Sequence, residues 1–363
     1  MSATQKRISA NKTIAAKTTD AKNTPATSQQ KNTSIREKSA KTKSAALTLG
    51  MVGLGKMGLN MSARLLSKGN IAIVGFNHDT KKIDELVAKG GIGASSVDDL
   101  IQKLAVTKNK SQNKDHKDQP RIVWLMLPNG APTEDTFQHI LKQFSKGDII
   151  IDGGNSNFHD SIRRHKEAAA KGVLMLDVGV SGGVVAASRG YALMIGGPKA
   201  AFSVCEPIFA DLSPAEGYAH VGEEGGAGHY VKMIHNAIEY GMMQAIAEGF
   251  DLMENGRFNA LDVQKISHLF NHGTIVSSFL MEMVENALTK DAKLSYLAPH
   301  VDDNGEGRWA AIEAMEHAVP FVTNTYALHA RYISRDDDSF AFKMLAAIRN
   351  EFGGHAIKDG KTK

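Results

Sequence analysis

The stretch LTLGMVGLGKMG, Leu47 to Gly58, decides the fold of the first half of the chain. Its apolar first half predicts a buried strand, a helical pattern then runs to Lys68, and a second apolar run, IAIVGF, starts at Ile71. The turn between strand and helix has the G-x-G-x-x-G spacing, in which the first glycine allows a tight turn. The second glycine lets backbone N–H groups approach a pyrophosphate, and the third lets the helix lie close to the sheet. The stretch therefore predicts a dinucleotide-binding turn made of Gly53, Leu54, Gly55, Lys56 and Gly58.

Further apolar runs predict four more strands, and helical patterns separate most of them. The runs are RIVWLML (121–127), DIIID (148–152), VLMLDV (173–178) and YALMIGG (191–197). Strands that alternate with helices form α/β folds, so we expect a Rossmann-type, doubly wound parallel sheet. After Gly222 only helical patterns follow, with breaks at Asn255/Gly256, Pro299 and Pro320. These breaks predict an all-α C-terminal domain of several helices.

The predicted elements divide the chain into a disordered basic tail at 1–45, a dinucleotide-binding domain at 46–222 and an all-helical domain at 223–363 that ends in a C-terminal tail. A polar tract, KNKSQNKDHKDQ at 108–119, predicts a surface loop inserted into the first domain. A chain of 363 residues with 42% hydrophobic content is long enough to bury two cores.

The single cysteine and the charge distribution limit where the protein works and what it binds. Cys205 has no cysteine partner and is expected to be a packed residue, and no apolar run could span a membrane, so we expect a cytoplasmic protein that does not bind membranes. The tail at 1–45 holds ten Lys/Arg and two acidic residues, whereas the rest of the chain holds 33 basic and 37 acidic residues. The tail has only two arginines and no aromatic residue, which argues against a targeting peptide and against nucleic-acid binding.

The stretch AGHYVKMIHNAIEY, 227–240, predicts a helix with an unusual polar stripe. At about 100° per residue, five polar side chains share one side of this helix. We expect the helix to bury most of its surface and to turn its stripe toward a cleft, because the remaining circumference is apolar. It consists of Val231, Met233, Ile234, Ala237, Ile238 and Met242. The stripe consists of Lys232, His235, Asn236, Glu239 and Tyr240.

The residues after the second strand, Asn77, His78 and Asp79, are expected to contact the adenosine ribose. Asp79 favours NAD, whereas Asn77, His78 and the nearby lysines would tolerate the extra phosphate of NADP, so both cofactors remain possible. A calcium loop is imitated by the spacing of Asp302, Asn304, Glu306, Gly307 and Glu313. Glu306 is the wrong acid for its position in such a loop and HExxH and CxxC patterns are absent, so no metal is expected.

Four motifs in the same order resemble the decarboxylating 6-phosphogluconate dehydrogenases. They are IIIDGGNSNFHDSIRR (149–164), DVGVSGG (177–183), GYALMIGG (190–197) and VGEEGGAGHYVKMIHNAIEYG (221–241). The likeness runs from about Leu47 to His355, and the length after the nucleotide domain resembles the shorter bacterial branch. The resemblance implies oxidation of 6-phosphogluconate by NAD or NADP, loss of CO2 and formation of ribulose 5-phosphate. It also implies a homo-oligomer whose helical domain serves substrate binding and dimerisation.

The resemblance assigns roles to the polar stripe. Lys232 is implied to be the general base and Glu239 the general acid that protonates carbon 1. Desolvation should then lower the pKa of Lys232, and burial should raise that of Glu239. The resemblance implies that the substrate is bound by Asn155, Ser181, Gly182, Gly183, His235, Asn236, Tyr240 and Arg331, and by Arg349 and His355 from the neighbouring subunit. The cofactor is implied to contact Met57, Leu127, Pro128, Asn129 and Asn155.

Three departures separate this chain from many members of the family it resembles. Where a substrate-binding Lys precedes Gly-Thr-Gly, the chain reads DDNGEGRW, with Asn304 and Glu306 in the Lys and Thr places and Arg308 nearby. Pro128 stands where a Lys is common, and NHDT at 77–80 replaces a run with Arg. The alternatives are a dehydrogenase of small β-hydroxyacids, which shares the glycine turn, and a non-catalytic nucleotide-binding protein. His116, His139, His159 and His165 are expected to be solvated.

Overall fold

The computed structural model describes residues 47–110, 119–258 and 260–358. Eight strands occur in it: β1 (Leu47–Val52), β2 (Ile71–Phe76), β3 (Ile92–Gly93), β4 (Ile122–Leu125), β5 (Ile149–Asp152), β6 (Leu174–Ser181), β7 (Ala192–Gly196) and β8 (Tyr218–Gly222). The helices up to β8 are α1 (Lys56–Lys68), α2 (Thr80–Ala88), α3 (Val97–Lys110), α4 (Ala131–Gln143), α5 (Phe158–Ala170), α6 (Ala186–Arg189) and α7 (Lys199–Leu212). After β8 come α8 (Ala227–Asn255), α9 (Val263–Asn271), α10 (Phe279–Lys290), α11 (Glu306–Glu316), α12 (Val322–Ile333) and α13 (Phe340–Gly353).

The strands form one sheet in the order β3-β2-β1-β4-β5-β6-β7-β8. The first six are parallel, which confirms the predicted Rossmann-type arrangement for most of the sheet. β7 runs antiparallel to β6, because residues 182–191 are too few to carry a crossover helix back to the start of the sheet. The sequence did not predict the short strand β3 or the edge strand β8.

Both faces of the sheet are covered, which explains the near-continuous apolar runs in its central strands. Every residue of β4 and β5 is buried. One apolar layer contains Trp124 and Phe209, and the layer on the opposite face contains Phe137 and Val123. Parallel strands that are buried on both faces need this composition, because no side is left for solvent. Cys205 is fully buried in α7, as predicted, and burial raises the pKa of its thiol.

The helical layer begins with α8, which packs on β6, β7, α11 and α12. Small residues let these helices approach closely, as Ala237 and Ala310 do in one apolar cluster and Ala311 and Ala327 in another. The expectation that α8 buries its apolar circumference holds only in part: Met233 and Ala237 are buried, but Ile238 is 50% exposed and Met242 44%. The packed side of α8 therefore combines polar residues, among them Lys232 and Asn236, with the apolar Met233 and Ala237.

Some of the sequence predictions concern residues outside the described ranges. The tail at 1–45 lies outside these ranges, as do residues 111–118 of the polar tract, which include His116. Residues 108–110 of that tract form the end of α3, so the helix continues into the predicted loop. Within the described chain, no helix combines the length and apolar character needed to cross a membrane.

Candidate active site

The glycine turn after β1 has the geometry that a dinucleotide requires. Gly53 has a φ of 96°, and a Cβ there would lie 2.3 Å from the carbonyl oxygen of Met126. A Cβ on Gly58 would lie 2.0 Å from the carbonyl oxygen of Gly53, so α1 sits directly against the turn. Around Gly55, in contrast, the space is open. The backbone at the start of α1 is therefore free to receive a pyrophosphate, and the residues fit the predicted cofactor.

The residues after β2 are held by the same turn. The side-chain oxygen of Asn77 accepts a hydrogen bond of 3.0 Å from the backbone N–H of Leu54. Asp79 caps α2 by accepting from the backbone N–H of Lys81 at 3.0 Å. The ring of His78 contacts Phe76 edge-on and is otherwise exposed to solvent. These three residues line the place where a Rossmann fold receives the adenosine ribose.

Asp152, at the end of β5, fixes the loop that carries Asn155. Its buried carboxylate accepts hydrogen bonds from the backbone N–H of Gly154 at 3.1 Å and from the Ser156 hydroxyl at 2.8 Å. It also pairs with the buried guanidinium of Arg164 at 3.0 Å. Asn155 itself is exposed. The Asp152 carboxylate therefore fixes the base of the loop that carries Asn155.

The neighbouring loop after β4 carries the other predicted cofactor contacts. Leu127 is half-buried, and Pro128 and Asn129 are exposed. A Cβ on Gly154 would lie 2.6 Å from the carbonyl oxygen of Leu127, so the two loops touch. Because β1, β2, β4, β5 and β6 are parallel, all the loops that follow them meet at one edge of the sheet.

The loop after β6 brings substrate-binding candidates to the same edge. The Ser181 hydroxyl lies 3.3 Å from Nε2 of His235 on α8. Nδ1 of His235 lies 3.0 Å from the side-chain oxygen of Asn236. Gly182 and Gly183 have φ values of 116° and 55°, which favour glycine and leave the backbone accessible. A chain of polar contacts thus joins the end of β6 to the stripe of α8.

Lys232 lies against the sheet at this edge. A Cβ on Gly179 of β6 would lie 2.4 Å from the Cβ of Lys232, so the missing side chain of Gly179 makes room for the lysine stem. Lys232 is 6% exposed. Burial lowers the pKa of its amine, and the negative charges of Glu306 and Glu239 oppose this effect. The expected desolvation of Lys232 is therefore present.

Glu239 differs from the expectation, because its side chain is 40% exposed; its Oε2 lies 4.0 Å from Nδ1 of His235. The buried carboxyl of the site belongs to Glu306, which is 2% exposed at the start of α11. Burial raises the pKa of Glu306 to about 7, and the charge of Glu239 adds to the rise, whereas Lys232 and a hydrogen bond from Asn304 oppose it. The loop before α11 covers the stripe near Glu306 and leaves Glu239 at the open side.

Tyr240 and Arg331 form a further corner of the site. The Tyr240 hydroxyl donates to the side-chain oxygen of Asn304 at 3.0 Å and accepts from its backbone N–H at 3.2 Å. The guanidinium of Arg331 lies 3.5 Å from the centre of the Tyr240 ring and donates to the carbonyl oxygen of Asp302 at 2.7 Å. Arg308 is largely exposed and lies near Asp303. An arginine beside a phenol can bind a phosphate group.

Comparison with known proteins decides the family. A family model described as the NAD binding domain of 6-phosphogluconate dehydrogenase matches residues 48–222, and one described as the C-terminal domain of 6-phosphogluconate dehydrogenase matches residues 228–358. The chain belongs to the 6-phosphogluconate dehydrogenase family. The resemblance found in the sequence motifs is thereby confirmed.

Individual members of the 6-phosphogluconate dehydrogenase family match along most of their length. The putative 6-phosphogluconate dehydrogenase YqeC of Bacillus subtilis (strain 168) is 39% identical, over 80% of this chain and 92% of that protein. The NAD(+)-dependent, decarboxylating 6-phosphogluconate dehydrogenase of Haloferax volcanii is 34% identical, over 81% of this chain and 93% of that protein. The solved Plasmodium falciparum 6-phosphogluconate dehydrogenase has a TM-score of 0.69 and 32% identity, covering 87% of this chain and 67% of that one.

The β-hydroxyacid dehydrogenases, the alternative that shares the glycine turn, are more distant from this chain. The 3-hydroxyisobutyrate dehydrogenase of Salmonella typhimurium superimposes with a TM-score of 0.61, but it is 21% identical over 78% of this chain and 92% of that one. At this identity the likeness shows a shared fold and does not extend to the activity. The family models and the relatives above therefore place the chain with the 6-phosphogluconate dehydrogenases and not with the β-hydroxyacid dehydrogenases.

Sequence reasoning missed the buried residue that orients α8. Asp177, within the quoted motif DVGVSGG, accepts hydrogen bonds from the backbone N–H groups of Gly226 at 2.9 Å and His229 at 2.8 Å. His165 lies 3.0 Å from it and is mostly buried, so the expectation that His165 is solvated is wrong. Burial opposes ionisation of Asp177, but the His165 hydrogen bond and the charges of His165 and His229 hold its pKa at about 2. A buried carboxylate thus anchors the first turn of α8 on β6.

Two predicted residues lie away from the Lys232 cleft within one chain. Arg349 and His355 are exposed on and after α13, a helix that buries none of its residues. The contacts of His355 are local, with the Phe352 ring and with the Asn350 amide, which donates to its carbonyl oxygen at 2.9 Å. The structure of one chain does not bring these residues together with Lys232.

The calcium-like spacing around Glu306 is occupied by protein contacts. Asn304 binds Tyr240, and Asp303 accepts from Arg335 at 3.0 Å. Within the described ranges, one cluster of side chains could hold a metal ion: His268, His272 and Glu285. Nδ1 of His268 lies 2.7 Å from a carboxylate oxygen of Glu285. This cluster lies on α9 and α10 and includes none of the residues of the cleft.

Proposed function

We propose that the protein catalyses the NAD(P)-dependent oxidative decarboxylation of 6-phospho-D-gluconate to D-ribulose 5-phosphate and CO2. The observation that carries the proposal is the buried, desolvated amine of Lys232 at the sheet edge where the glycine turn and the Ser181 loop meet. The relatives whose names state this reaction support it. The fold alone would fit many dehydrogenases, so the proposal rests on the residues of the site.

The first step needs a base that is neutral when the substrate arrives. Desolvation disfavours the ammonium form of Lys232, so its amine can take the proton of the hydroxyl at carbon 3. The nicotinamide, when bound, supplies the acceptor for the hydride from the same carbon. Ser181, His235 and Asn236 form a connected set of donors and acceptors that can orient the substrate hydroxyls.

The second step uses the proton that Lys232 has gained. The ammonium donates a hydrogen bond to the new ketone, which makes the carbonyl an electron sink for the carbon–carbon bond to the β carboxylate. CO2 leaves, and the enediol that remains takes a proton at the carbon that becomes carbon 1 of ribulose 5-phosphate. Glu239 lies seven positions after Lys232, two helical turns or about 10 Å along α8. We assign it the role of the acid because its carboxyl is on the open side, where solvent can restore its proton.

The phosphate end of the substrate is assigned to Tyr240 and Arg331. Their stacking places a fixed positive charge beside a phenol hydroxyl. Asn304 stands where many members of the family have a lysine, so it contributes an amide and no charge at this corner. Gly182 and Gly183 offer backbone donors for the carboxylate.

We further propose a homo-oligomer in which Arg349 and His355 enter the site of the neighbouring subunit. The support is that α13 buries nothing although it carries six large exposed apolar side chains: Phe340, Phe342, Met344, Leu345, Ile348 and Phe352. A helix with such a face gains stability only when another surface covers it. This arrangement would also supply an arginine and a histidine that the site of a single chain lacks.

The test is the reaction itself. Purified full-length protein with 6-phosphogluconate and either NAD or NADP should form reduced nucleotide and CO2 in equal amounts. Ribulose 5-phosphate should accumulate to the same extent, as measured by chromatography of the product. Reduction of nucleotide with 3-hydroxyisobutyrate, and none with 6-phosphogluconate, would instead support a β-hydroxyacid dehydrogenase. Steady-state kinetics with both nucleotides would give the cofactor preference.

A further inference from the structure

Two histidines and a glutamate, none of which the proposed reaction uses, lie together where α9 meets α10. His268 is in the last turn of α9, and His272 follows the end of that helix four positions later. Side chains four positions apart on a helix are neighbours, and the two rings have their centroids 4.0 Å apart. From α10, a carboxylate oxygen of Glu285 lies 2.7 Å from Nδ1 of His268. Three side chains with metal-binding atoms therefore meet at one point, where one such atom from each lies within 4.8 Å of the others.

The contacts of His272 leave one of its ring nitrogens available for a cation. Its Nδ1 lies 2.6 Å from the backbone carbonyl oxygen of His268. A carbonyl oxygen can only accept a hydrogen bond, so Nδ1 carries the proton and the lone pair of the neutral ring is on Nε2. In protein metal sites, a hydrogen bond of this kind fixes the tautomer and the orientation of the ligating ring. His272 therefore already has the arrangement that a metal ligand needs.

The carboxylate of Glu285 is held in place from α9. While one oxygen faces His268, the other accepts a hydrogen bond of 3.2 Å from the side-chain amide of Asn271. The Glu285 side chain is 22% exposed, compared with 61% for that of His268. The end of α9 adds to the attraction for a cation, because the last carbonyl groups of a helix carry partial negative charge.

We propose that His268, His272 and Glu285 form a binding site for a divalent transition-metal ion, with Zn²⁺ as its ion, and that the bound ion links α9 to α10. Two imidazole nitrogens and one carboxylate oxygen are a ligand set that suits zinc, and water would take the fourth position of a tetrahedral shell. Ca²⁺ and Mg²⁺ prefer ligand sets made of oxygen atoms, so we expect them to bind here only weakly.

The three side chains need only small movements to surround a metal ion. Zinc holds nitrogen and oxygen ligands at about 2.0–2.2 Å, so the ligand atoms of a tetrahedral site lie about 3.4 Å apart. Nδ1 of His268 now lies 2.7 Å from Glu285, and the whole set lies within 4.8 Å. Both histidines are exposed, so their rings can turn without disturbing packed residues.

A metal link would strengthen a part of the helical layer that has few buried side chains. α9 buries Val263 and Ser267, and α10 buries Met281 and Leu288. In the connection between the two helices, Ile275 is fully exposed. An ion that binds the folded pair of helices, and not its opened form, stabilises the folded pair by mass action. We therefore expect the ion to act on local stability and not on the chemistry of the cleft.

The experiment measures Zn²⁺ binding to the full-length, untagged protein after treatment with a chelator, by competition with a chromophoric zinc indicator. His268→Ala and His272→Ala each remove a direct ligand and should weaken binding at this site about 100-fold, since even the loss of a group that only orients a ligand costs about 10–100-fold. Glu285→Gln keeps the shape of the side chain but loses its charge, and should weaken binding about tenfold.

His317→Ala is the matched control. His317 is also exposed and its Nδ1 lies 3.4 Å from a carboxylate oxygen of Glu313, but no second histidine stands four positions from it. Its removal should leave the affinity for Zn²⁺ unchanged. The three ligand variants and the control all replace side chains at the surface or at its edge, so each should keep the fold, which circular dichroism checks.

Hydrogen exchange followed by mass spectrometry locates the bound ion. Zn²⁺ should slow the exchange of backbone amides between residues 263 and 290, because opening this pair of helices would then require release of the ion. The exchange of residues 306–333, in α11 and α12, should stay the same. The slowing should be lost in His272→Ala and kept in His317→Ala.

Zn²⁺ affinity that is the same in the wild type, His268→Ala and His272→Ala would overturn the proposal, because the ion would then bind elsewhere. An equal loss of affinity in His317→Ala would also overturn it, since exposed histidines in general would then be responsible. Ca²⁺ binding as tight as that of Zn²⁺ would contradict the ligand set. None of these measurements uses the dehydrogenase reaction, so failure of this proposal and failure of the proposed function are distinguishable.

Discussion

The carboxyl edge of the sheet and the helical layer differ in how complete they are within one chain. At the sheet edge, Gly53, Gly58 and Gly154 touch their neighbours closely, and every residue of β4 and β5 is buried. In the helical layer, Phe352 is 73% exposed and α13 buries no residue. We infer from this difference that one chain builds the nucleotide half of the site, whereas the substrate half needs a second copy.

The polar and apolar sides of α8 show the same difference within one element. Its buried side holds Lys232, Asn236 and Tyr240, and its exposed side holds Ile238 and Met242. Burying polar groups is costly unless they find partners, and exposing a large apolar face is costly unless it is covered. The first requirement is met by the contacts of the cleft, and the second is met in the homo-oligomer proposed above.

The largest expected effect comes from two residues of the helical half: Lys232, which acts within its own chain, and Arg349, which is proposed to act in the neighbouring chain. Lys232→Met should lower kcat by about 10⁴-fold by removing the base, while the affinity for NAD(P) stays unchanged. Arg349→Ala should lower kcat/KM by about 10²-fold by removing a charged contact to the substrate. When the two inactive variants are mixed and exchange subunits, mixed dimers should regain one intact site in two, or about a quarter of the wild-type activity overall.

The mixing experiment has its own control. Lys232→Met mixed with Lys232→Ala should regain nothing, because both sites of every mixed dimer lack the base. Kinetics before and after subunit exchange measure the gain, and native mass spectrometry confirms that mixed species have formed. Equal inactivity of both mixtures would mean that Arg349 acts within its own chain, and the inference that the substrate half needs a second copy would fail.

A smaller effect is expected at the contact between the two halves. In Gly179→Ala the new methyl group would lie 2.4 Å from the Cβ of Lys232, so α8 must shift on β6. A displacement of about 1 Å at a catalytic group can cost 10²-fold in rate, and we expect a loss of this size in kcat with little change in the Kd for NAD(P).

Gly249→Ala is the matched control, because Gly249 lies on the same helix with open space around it. Its kcat should stay at the wild-type value, and alanine should slightly stabilise the helix. Isothermal titration with nucleotide and steady-state kinetics compare the two variants. A Gly179→Ala enzyme with wild-type kcat would show that Lys232 tolerates movement of α8 and that the close approach is not needed for catalysis.

The sequence predicted the nucleotide half well because its signals are local. The contact between Gly53 and Gly58 spans five positions, and the spacing of the glycines encodes it directly. Each strand is a short apolar run, so the elements could be identified without knowing their neighbours. The reversal of β7 depends on the short connection from Ser181, which the apolar pattern of the strand does not contain.

The helical half was predicted less well because its decisive contacts are distant in sequence. The stripe on α8 was identified from helical periodicity, but which carboxylate is buried depends on the loop before α11, and Tyr240 and Asn304 lie 64 positions apart. Glu306 was therefore interpreted only as an unsuitable calcium ligand. Asp177 gives a similar case, since its partners at Gly226 and His229 come from another element. The assignments of Arg349 and His355 remain predictions.

The smallest effect is expected at the nucleotide half, where a single charge should alter cofactor choice without affecting the rest of the site. His78 is exposed after β2, in the segment that we expect to contact the adenosine ribose, and its ring meets the Phe76 ring edge-on. His78→Arg would add a planar, charged donor for the 2′-phosphate of NADP. The ratio of kcat/KM for NADP to that for NAD should rise about tenfold, since one hydrogen bond to a charged group contributes about 1.5 kcal/mol or more.

His78→Gln separates the charge from the loss of the imidazole. It keeps a polar side chain of similar reach, so its cofactor ratio should stay near the wild-type value, and in both variants kcat with the better cofactor should be unchanged because Lys232 is not disturbed. An equal rise in His78→Gln would show that the imidazole excludes the 2′-phosphate by its shape. A fall in kcat in His78→Arg would show that the nucleotide half is not independent of the helical half, since a change at the ribose would then reach the catalytic helix.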